Sequence, residues 1–187
     1  MSHTRTALLD AAYAVAVAGS WDKVRMVDVA ASAGVSRQTL YYEFGSKDQL
    51  AEAVAMREAQ RFMAGAEAAR VGHEGSPAEA IAAAAEFTLI SAASNPLLKA
   101  VLTDDTSALL PFLTTRAGSI LLAARDHTVA YLTSHWPDLP VEEIALVAEV
   151  VNRLTISHLV LPSGRPEDVA RDIAHLVDRL LPGRTPA

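Results

Sequence analysis

Three consecutive polar residues, Arg37, Gln38 and Thr39, carry the clearest chemistry in this sequence. Ser36 comes directly before them and is a good N-cap for a helix, because its hydroxyl can accept a hydrogen bond from a backbone amide. The three side chains therefore fall on the first turn of that helix, where we expect them to be exposed. Long polar donors at this place can reach base edges in the major groove of DNA. The pattern predicts direct reading of a DNA sequence.

The elements that would position these side chains form a predicted helix-turn-helix within residues 24–44. Ala30 is small enough for a second helix to cross closely, and Gly34 supplies the turn, where a left-handed backbone costs little without a Cβ. Ser46 and Gln49 form a capping-box pattern for the next helix, which we expect to extend to about residue 70. The small core between the first two helices is predicted to contain Val29, Ala33, Val35, Leu40 and Phe44.

Four short segments follow one another in this region: DVA at 28–30, AGVS at 33–36, TLYYEF at 39–44 and SKDQL at 46–50. Together they resemble the N-terminal domain of TetR-type transcriptional regulators. The resemblance implies an all-α fold, in which an N-terminal three-helix helix-turn-helix domain is joined to a larger helical ligand-binding and dimerisation domain. We place the first domain at residues 1–46 and the second at residues 47–187, with the helix at 47–70 connecting the two.

Three further side chains suit the phosphates of the DNA backbone. Tyr41 and Tyr42 carry hydroxyls on rigid rings, and Lys47 lies on the first turn of a helix, where its ammonium and the free amides together suit an anion. The resemblance implies that at least one of the tyrosines, and also Lys47, contacts phosphate. The alternatives are plain packing between helices for either tyrosine and a solvated surface position for Lys47.

Arg25 departs from the family pattern, which usually has Thr or Ser at this place to cap the second helix and touch a phosphate. Arginine can bind a phosphate bidentately, but it cannot replace the cap in the same way. A phosphate contact at Arg25 is therefore a hypothesis, and we expect the second helix to begin less firmly. The full predicted DNA-binding set is Arg25, Ser36, Arg37, Gln38, Thr39, Tyr41, Tyr42 and Lys47.

Charge and composition agree with a helical DNA-binding protein. The net charge is −6, but residues 1–70 hold 8 basic and 8 acidic side chains, whereas residues 71–187 hold 8 and 14. A neutral N-terminal part with local cations can bind phosphates, and an acidic remainder discourages nonspecific adhesion. The sequence has no cysteine, which excludes disulfides and thiolate metal sites and favours a reducing cytoplasm. No apolar run approaches the ~20 residues that a membrane span needs.

Two predicted helices at 140–161 and 166–181 each carry an apolar stripe that is wider than one neighbouring helix would cover. Two such hairpins can form a four-helix bundle across a two-fold axis, as the resemblance also implies. A homodimer would place two recognition helices ~34 Å apart, which suits a palindromic operator. The alternative is that both stripes pack within one chain. The predicted interface contains Val147, Val151, Leu154, His158, Leu161, Ile173, Leu176, Val177 and Leu180.

The helices in the middle of the chain are expected to bind a small-molecule effector. Their apolar side chains suit an apolar or amphipathic compound, and a few polar side chains among them can orient it. The alternatives are ordinary core for the apolar residues and surface exposure or local ion pairs for the polar ones. We expect no cofactor and no metal. The predicted pocket contains Phe62, Phe87, Ile90, Leu98, Leu102, Phe112, Leu113, Arg116, Ile120, Ala124, His127, Tyr131 and Asn152.

The combined prediction is a ligand-responsive DNA-binding regulator, most simply a repressor that the effector releases from its operator. The sequence leaves open whether the effector releases or promotes DNA binding. The alternative is a helical dimeric interaction protein, of corepressor or scaffold type, that has kept the fold without reading DNA. An enzyme is not expected, because the sequence contains no Gly-x-Ser-x-Gly elbow, no Gly-x-x-x-x-Gly-Lys loop and no His-Glu-x-x-His pattern.

Overall fold

A computed structural model describes residues 3–18, 21–103 and 109–181. Every regular element within these ranges is helical, which confirms the predicted all-α fold. None of these helices is by itself long and apolar enough to cross a membrane. Two 3-10 turns lie at Trp21–Lys23 and Leu110–Leu113. The α-helices are α1 (His3–Ala18), α2 (Met26–Ser32), α3 (Arg37–Phe44), α4 (Lys47–Ala69), α5 (Pro77–Ser94), α6 (Pro96–Thr103), α7 (Gly118–His135), α8 (Val141–Val160) and α9 (Pro166–Leu180).

Most helix ends lie where proline and cap residues predict them. α5, for example, begins at Pro77, because a proline at the first helical position loses no hydrogen bond that the helix needs. α7 is the exception, since it begins at Gly118 and not near residue 114. Pro111 lies in the second 3-10 turn, and its carbonyl oxygen accepts a hydrogen bond from the amide of Arg116 (2.6 Å). The chain therefore turns once more before α7 starts.

The chain divides into two compact units. The first unit comprises Met1–Glu58 and Asn95–Ala117, and the second unit comprises Ala59–Ser94 and Gly118–Ala187. α4 contributes to both units, and α6 belongs to the first unit although it follows α5 in the chain. The domain division predicted from the sequence, at 1–46 and 47–187, follows chain order, whereas these two units are defined by packing. The two divisions are therefore not directly comparable, and the predicted one stays a prediction.

The core of the first unit holds the helix-turn-helix together. α1 packs on α2 and α6, and α2 packs on α3. Val29, Leu40 and Phe44 are buried in this core, and Ala33 and Val35 are partly buried against it. Because apolar burial contributes about 25 cal/mol per Å², these five side chains stabilise one packing of α2 against α3. That packing determines which side of α3 is exposed.

α5 is the centre of the second unit. It packs along α9 and also against α8, and α7 packs on α8. The apolar cluster between these helices includes the fully buried side chains of Leu132, Ile144, Val147 and Val177. α8 and α9 therefore each bury one apolar face within their own chain.

Candidate nucleic-acid interface

The turn between α2 and α3 determines where the first turn of α3 lies. Gly34 has a φ of +68°, and a Cβ added there would meet nothing within 4 Å. The backbone conformation, and not a lack of space, therefore requires glycine at this position. The amide of Val35 then donates to the carbonyl oxygen of Ala30 (3.0 Å), which closes the turn.

Ser36 is the N-cap of α3. Its hydroxyl oxygen accepts a hydrogen bond from the amide of Thr39 (3.0 Å), and it lies 2.8 Å from the hydroxyl of Thr39. Thr39 is half-buried, whereas Arg37 and Gln38 are exposed. The cap therefore uses the polar groups of Ser36 and Thr39, and it leaves Arg37 and Gln38 as the long side chains that extend from this turn.

Tyr42 is 89% exposed, so its ring does not pack between helices of its own chain, and Tyr41 is 44% exposed. Gln38 and Tyr42 are four residues apart and share a face of α3, as do Arg37 and Tyr41. Each long donor on the first turn is thus followed, one turn later, by a phenol. Base-edge donors beside hydroxyls that can contact phosphate are the arrangement that a groove-reading helix needs.

The joint between α3 and α4 is two residues long and is held by several hydrogen bonds. Gly45 has a φ of +69° and donates its amide to the carbonyl oxygen of Tyr41 (2.8 Å). Ser46 caps α4, because its hydroxyl oxygen accepts a hydrogen bond from the amide of Gln49 (3.2 Å). A full capping box also needs the Gln49 side chain to accept a hydrogen bond from the Ser46 amide. Here that side chain accepts from the Ser46 hydroxyl (3.3 Å), so only the serine half of the predicted capping box is formed. α4 therefore starts in a direction set by α3.

Lys47 is the first residue of α4 and is half-buried. Its Nζ donates a hydrogen bond to the carbonyl oxygen of Asp22 (2.9 Å), in the first 3-10 turn. The ammonium is thus held near the free amides of the α4 N-terminus, with donor hydrogens to spare. A phosphate contact through Lys47 stays a prediction, and this geometry is compatible with it.

Arg25 occupies the N-cap position of α2, but its side chain makes no capping hydrogen bond. Its Nε and Nη2 instead donate to the two carboxylate oxygens of Asp28, at 2.7 and 2.9 Å. This hydrogen-bonded carboxylate raises the pKa of Arg25 above its ordinary value. Asp28 therefore occupies the guanidinium edge that could bind a phosphate bidentately. A DNA contact at Arg25 requires either that this ion pair opens or that the guanidinium uses its other edge.

Arg5 is a residue of this region that sequence reasoning missed. Its Nη1 donates to the carbonyl oxygen of Glu43 (3.0 Å), and its guanidinium lies 4.3 Å from the centre of the Phe44 ring. Arg5 thereby connects the start of α1 to the last turn of α3. An arginine in the first turn of a helix gave no signal of this long-range contact in the sequence.

The predicted effector-pocket residues divide between the two units. In the first unit, Phe112 and Leu113 pack in the apolar cluster, while Arg116 pairs with Asp48 (3.6 Å) and stacks over the Phe112 ring at 4.4 Å. Phe112 and Leu113 are thus ordinary core residues, and Arg116 forms a local ion pair. For these three residues the contacts agree with the alternative to effector binding. The pocket residues in the first unit are Leu98, Leu102, Phe112, Leu113 and Arg116, and those in the second unit are Phe62, Phe87, Ile90, Ile120, Ala124, His127, Tyr131 and Asn152.

Two polar members of the second group already have partners. His127 Nε2 lies 3.1 Å from Glu67 Oε2. Asn152 Nδ2 donates to the carbonyl oxygen of Ala148 (2.7 Å) and to the hydroxyl of Thr128 (3.1 Å). These side chains connect helices within the second unit, so they are less available to orient an effector than their types suggest.

Tyr131 is different, because its main contact is with Arg70, which sequence reasoning missed. The Arg70 guanidinium lies 4.3 Å from the centre of the Tyr131 ring. An arginine at the end of a predicted helix is typical of a solvated residue that interacts with the helix dipole. Only the structure shows that Arg70 is buried.

Four residues of the predicted dimer interface are buried inside the second unit, and this corrects the prediction for them. Because Val147, Val151, Ile173 and Val177 already pack in its core, they have almost no surface to offer a partner. The remaining members are at least partly accessible, and Leu161 is 76% exposed. A surface depression of about 460 Å³ also lies on α9 and is lined by His175, Leu176, Asp178 and Arg179. The accessible members of the predicted interface are Leu154, His158, Leu161, Leu176 and Leu180.

Comparisons with known protein families give matches to both parts of the chain. Residues 8–54 match the family described as bacterial regulatory proteins, tetR family. Residues 77–179 match the family described as bacterial tetracyclin repressor, C-terminal domain. The first match contains the whole of α2 and α3.

Individual relatives match along nearly the whole chain. The HTH-type transcriptional regulator AlkX of Mycobacterium tuberculosis is 30% identical over 174 residues, which is 92% of this chain and 82% of the relative. The crystal structure of the TetR family repressor AlkX from a Dietzia strain, implicated in biodegradation of n-alkanes, is 29% identical with a TM-score of 0.80 and covers 97% of this chain and 96% of that one. The Rhodococcus erythropolis repressor QsdR shares the fold at 22% identity, with a TM-score of 0.68 and coverage of 95% and 94%.

Proposed function

Since this chain belongs to the TetR family of bacterial transcriptional regulators, we propose that it works as a dimeric repressor that an apolar or amphipathic small molecule releases from a palindromic operator. As a member of this family it is a DNA-binding helix-turn-helix protein and not an enzyme. The operator, the effector and the residues that contact them are the proposed part. We place its action in the cytoplasm, where a bacterial transcriptional regulator meets its DNA.

The observation that carries the proposal is the exposed first turn of α3. Arg37 and Gln38 extend from a turn that is fixed by the Ser36 cap and by the core beneath it. An arginine or a glutamine in this position can make bidentate hydrogen bonds to guanine or adenine, respectively. Tyr41, Tyr42 and Lys47 would then position α3 through phosphates, which carry no sequence information of their own.

An exposed apolar face on α8 supports the dimer. Leu146 and Leu154 are 50% and 36% exposed, and their spacing of eight residues places them on one side of α8. Leu161, the residue directly after α8, is 76% exposed. Several solvated leucines close together are typical of a surface that a partner covers. We propose that two copies meet along this face, so that each supplies one recognition helix to a two-fold symmetric operator.

The chemistry of the effector is supported by the second unit and by the relatives. Ile90, one of the predicted pocket residues, is 48% exposed, so this unit has apolar surface available for a ligand. A repressor similar to this chain is described as implicated in biodegradation of n-alkanes. Both observations favour an effector with a substantial apolar part.

We propose that α4 transmits the effect of ligand binding to the recognition helix α3. It begins at Lys47, directly after α3, and contributes residues to both units. A ligand that shifts α4 would change the separation of the two recognition helices and prevent both from entering the DNA at once. The effect is limited by the difference in ligand affinity between the two states, typically ~1–3 kcal/mol.

In-vitro selection of random duplex DNA by the purified full-length protein tests this function. We expect enrichment of an inverted repeat whose half-sites are centred about 10 base pairs apart, with binding that weakens steeply as salt increases. A variant with Arg37→Ala and Gln38→Ala, checked for folding, is the matched control and should enrich no site. Enrichment of the same site by this variant would contradict α3 as the reader. If the folded wild-type dimer enriches nothing, the interaction-protein alternative is favoured.

A further inference from the structure

Arg70 is the most unusual charged residue of the second unit. It follows directly after the last residue of α4 and is only 4% exposed. Its guanidinium stacks over the ring of Tyr131 on α7, at 4.3 Å from the ring centre. The same ring is stacked on His135 at 4.1 Å and meets the edge of Trp136 at 5.9 Å. Arg70 is therefore fixed against a rigid aromatic group.

Three polar atoms of this pair are buried without a hydrogen-bond partner in the described chain: Arg70 Nε, Arg70 Nη1 and the Tyr131 hydroxyl. A buried polar group left unpaired costs free energy, and more so if it is charged. Arg57, also buried, provides the contrast, because its Nη1 donates to Asp10 (2.7 Å) and its Nη2 to the carbonyl oxygen of Leu9 (3.0 Å). Both terminal nitrogens of Arg57 are therefore bound by its own chain and only its Nε lacks a partner, whereas Arg70 leaves two nitrogens unused.

The charge of Arg70 is also incompletely balanced. Burial lowers the pKa of Arg70, and this effect outweighs the opposing influence of Tyr131 and of Glu67. Glu67 is the nearby acid, but its side chain is 63% exposed and its carboxylate lies 3.1 Å from His127 Nε2. Burial likewise raises the pKa of the Tyr131 hydroxyl, which keeps the phenol protonated. All three unused atoms are therefore hydrogen-bond donors, and two of them belong to a cation.

Unused donors on a buried cation and on the phenol stacked against it call for an anionic oxygen acceptor. A carboxylate fits better than a phosphate monoester, because one guanidinium charge balances one carboxylate charge, whereas a phosphate carries close to two negative charges and would face Glu67. We propose that Arg70 and Tyr131 form a buried anchor for the carboxylate of an amphipathic effector. This inference rests on the proposed effector-binding function and names the polar end of the ligand.

The position of the anchor would connect ligand binding to α4. Arg70 adjoins the C-terminal end of α4, and Tyr131 lies on α7, so an anion held by both side chains fixes α4 against α7 within the second unit. The unused atoms are shielded from solvent, so the ligand must displace covering side chains when it enters. Binding would therefore change the packing at one end of the helix that we propose as the transmitter.

The test compares a straight-chain carboxylate with a neutral compound of the same length. Binding of decanoate and of decan-1-ol to the full-length protein is measured by calorimetry for the wild type, Tyr131→Phe and Arg70→Met. We expect the wild type to prefer decanoate by about tenfold or more, and each variant to lose about tenfold in decanoate affinity while its decanol affinity is unchanged. Tyr131→Phe keeps the ring under Arg70 and removes only an unpaired hydroxyl, so it should fold as the wild type does. Arg165→Met, which alters an exposed arginine, is the control and should change neither affinity.

Three results would overturn the anchor: equal affinity of the wild type for both compounds, retention of the carboxylate preference in Tyr131→Phe, or no binding of either compound. Operator release, measured in parallel, separates this failure from failure of the proposed function. If decanol releases the DNA as well as decanoate does, the effector function stands and the anchor is wrong.

Discussion

Arg37 and Gln38 differ from Thr39 in what their side chains are free to do. Thr39 shares its hydroxyl and its amide with the Ser36 cap, so its polar groups serve the helix end before they serve DNA. Arg37 and Gln38 extend into solvent from the same turn. At the residue scale, base specificity is therefore expected to depend mainly on these two side chains, with Thr39 contributing its methyl group and its role in the cap.

Gln38→Ala tests this division. We expect the variant to bind the selected operator more weakly by about 1–3 kcal/mol and to lose discrimination at one base position, because a bidentate contact to a base edge carries that much selectivity. Affinity for unrelated DNA should not change. The measurement is competition binding against operators altered one base pair at a time, with the exposed Glu52→Ala on α4 as the control. An unchanged base preference would remove Gln38 from the reading set.

Lys47→Met should act differently, because a phosphate contact positions the protein without reading sequence. We expect affinity to fall by a similar factor for operator and for unrelated DNA, and the slope of log affinity against log salt to decrease by about one. The Asp22 carbonyl oxygen also loses its donor, so the free energy of unfolding is measured alongside. Lys99→Met, an exposed lysine on α6, is the comparison. Loss of operator affinity alone would contradict the phosphate role.

At the scale of elements, the caps determine how α3 is presented. Ser36→Ala removes the acceptor for the Thr39 amide, and we expect the free energy of unfolding to fall by about 1 kcal/mol. Urea denaturation measures it, with Ser32→Ala at the exposed end of α2 as the matched serine. Because the α3 turn also loses its fixed geometry, operator affinity should fall as well. Equal stability of the two variants would show that the cap contributes little here.

The helix ends were predictable from the sequence wherever a local cause determines them. Ser36, Gly34 and Pro77 act within their own turn, so their residue types suffice to place α3 and α5. The predicted start of α7, near residue 114, was wrong by several residues. The reason is that the 3-10 turn after Leu109 depends on the packing of Phe112 in the core of the first unit. A local pattern does not contain that contact.

The faces of α8 were harder to predict for a related reason. Val147 and Leu154 both belong to the 3-4 pattern of one helix, yet Val147 is fully buried in its own chain and Leu154 is not. Periodicity shows that a face is apolar, but it does not show which neighbour covers that face. The same limit applies to Arg70, whose burial depends on α7 and cannot be inferred from its own surroundings in sequence.

For the whole molecule, the exposed face of α8 gives the prediction for assembly. Leu161→Glu introduces a charge at the leucine directly after α8, which is more exposed than Leu146 and Leu154, and a symmetric dimer would bury this charge twice. We expect the dimer dissociation constant to rise at least tenfold, because burying one leucine contributes about 1.5–3 kcal/mol. Sedimentation measures it, and operator binding should be lost in parallel. Leu122→Glu, at a leucine of α7 that is 55% exposed, is the control and should leave the dimer intact.

Gly65 on α4 has a consequence for how this sequence can diverge. A Cβ added there would overlap the ring of Phe87 on α5, so the two positions share a single volume. In evolutionary terms they form a compensating pair: Gly65→Ala alone should be selected against, whereas Gly65→Ala with Phe87→Leu should be tolerated. Homologues that carry a larger residue at the position of Gly65 are then expected to carry a smaller one at that of Phe87, and this covariation would identify relatives that keep the same spacing between α4 and α5.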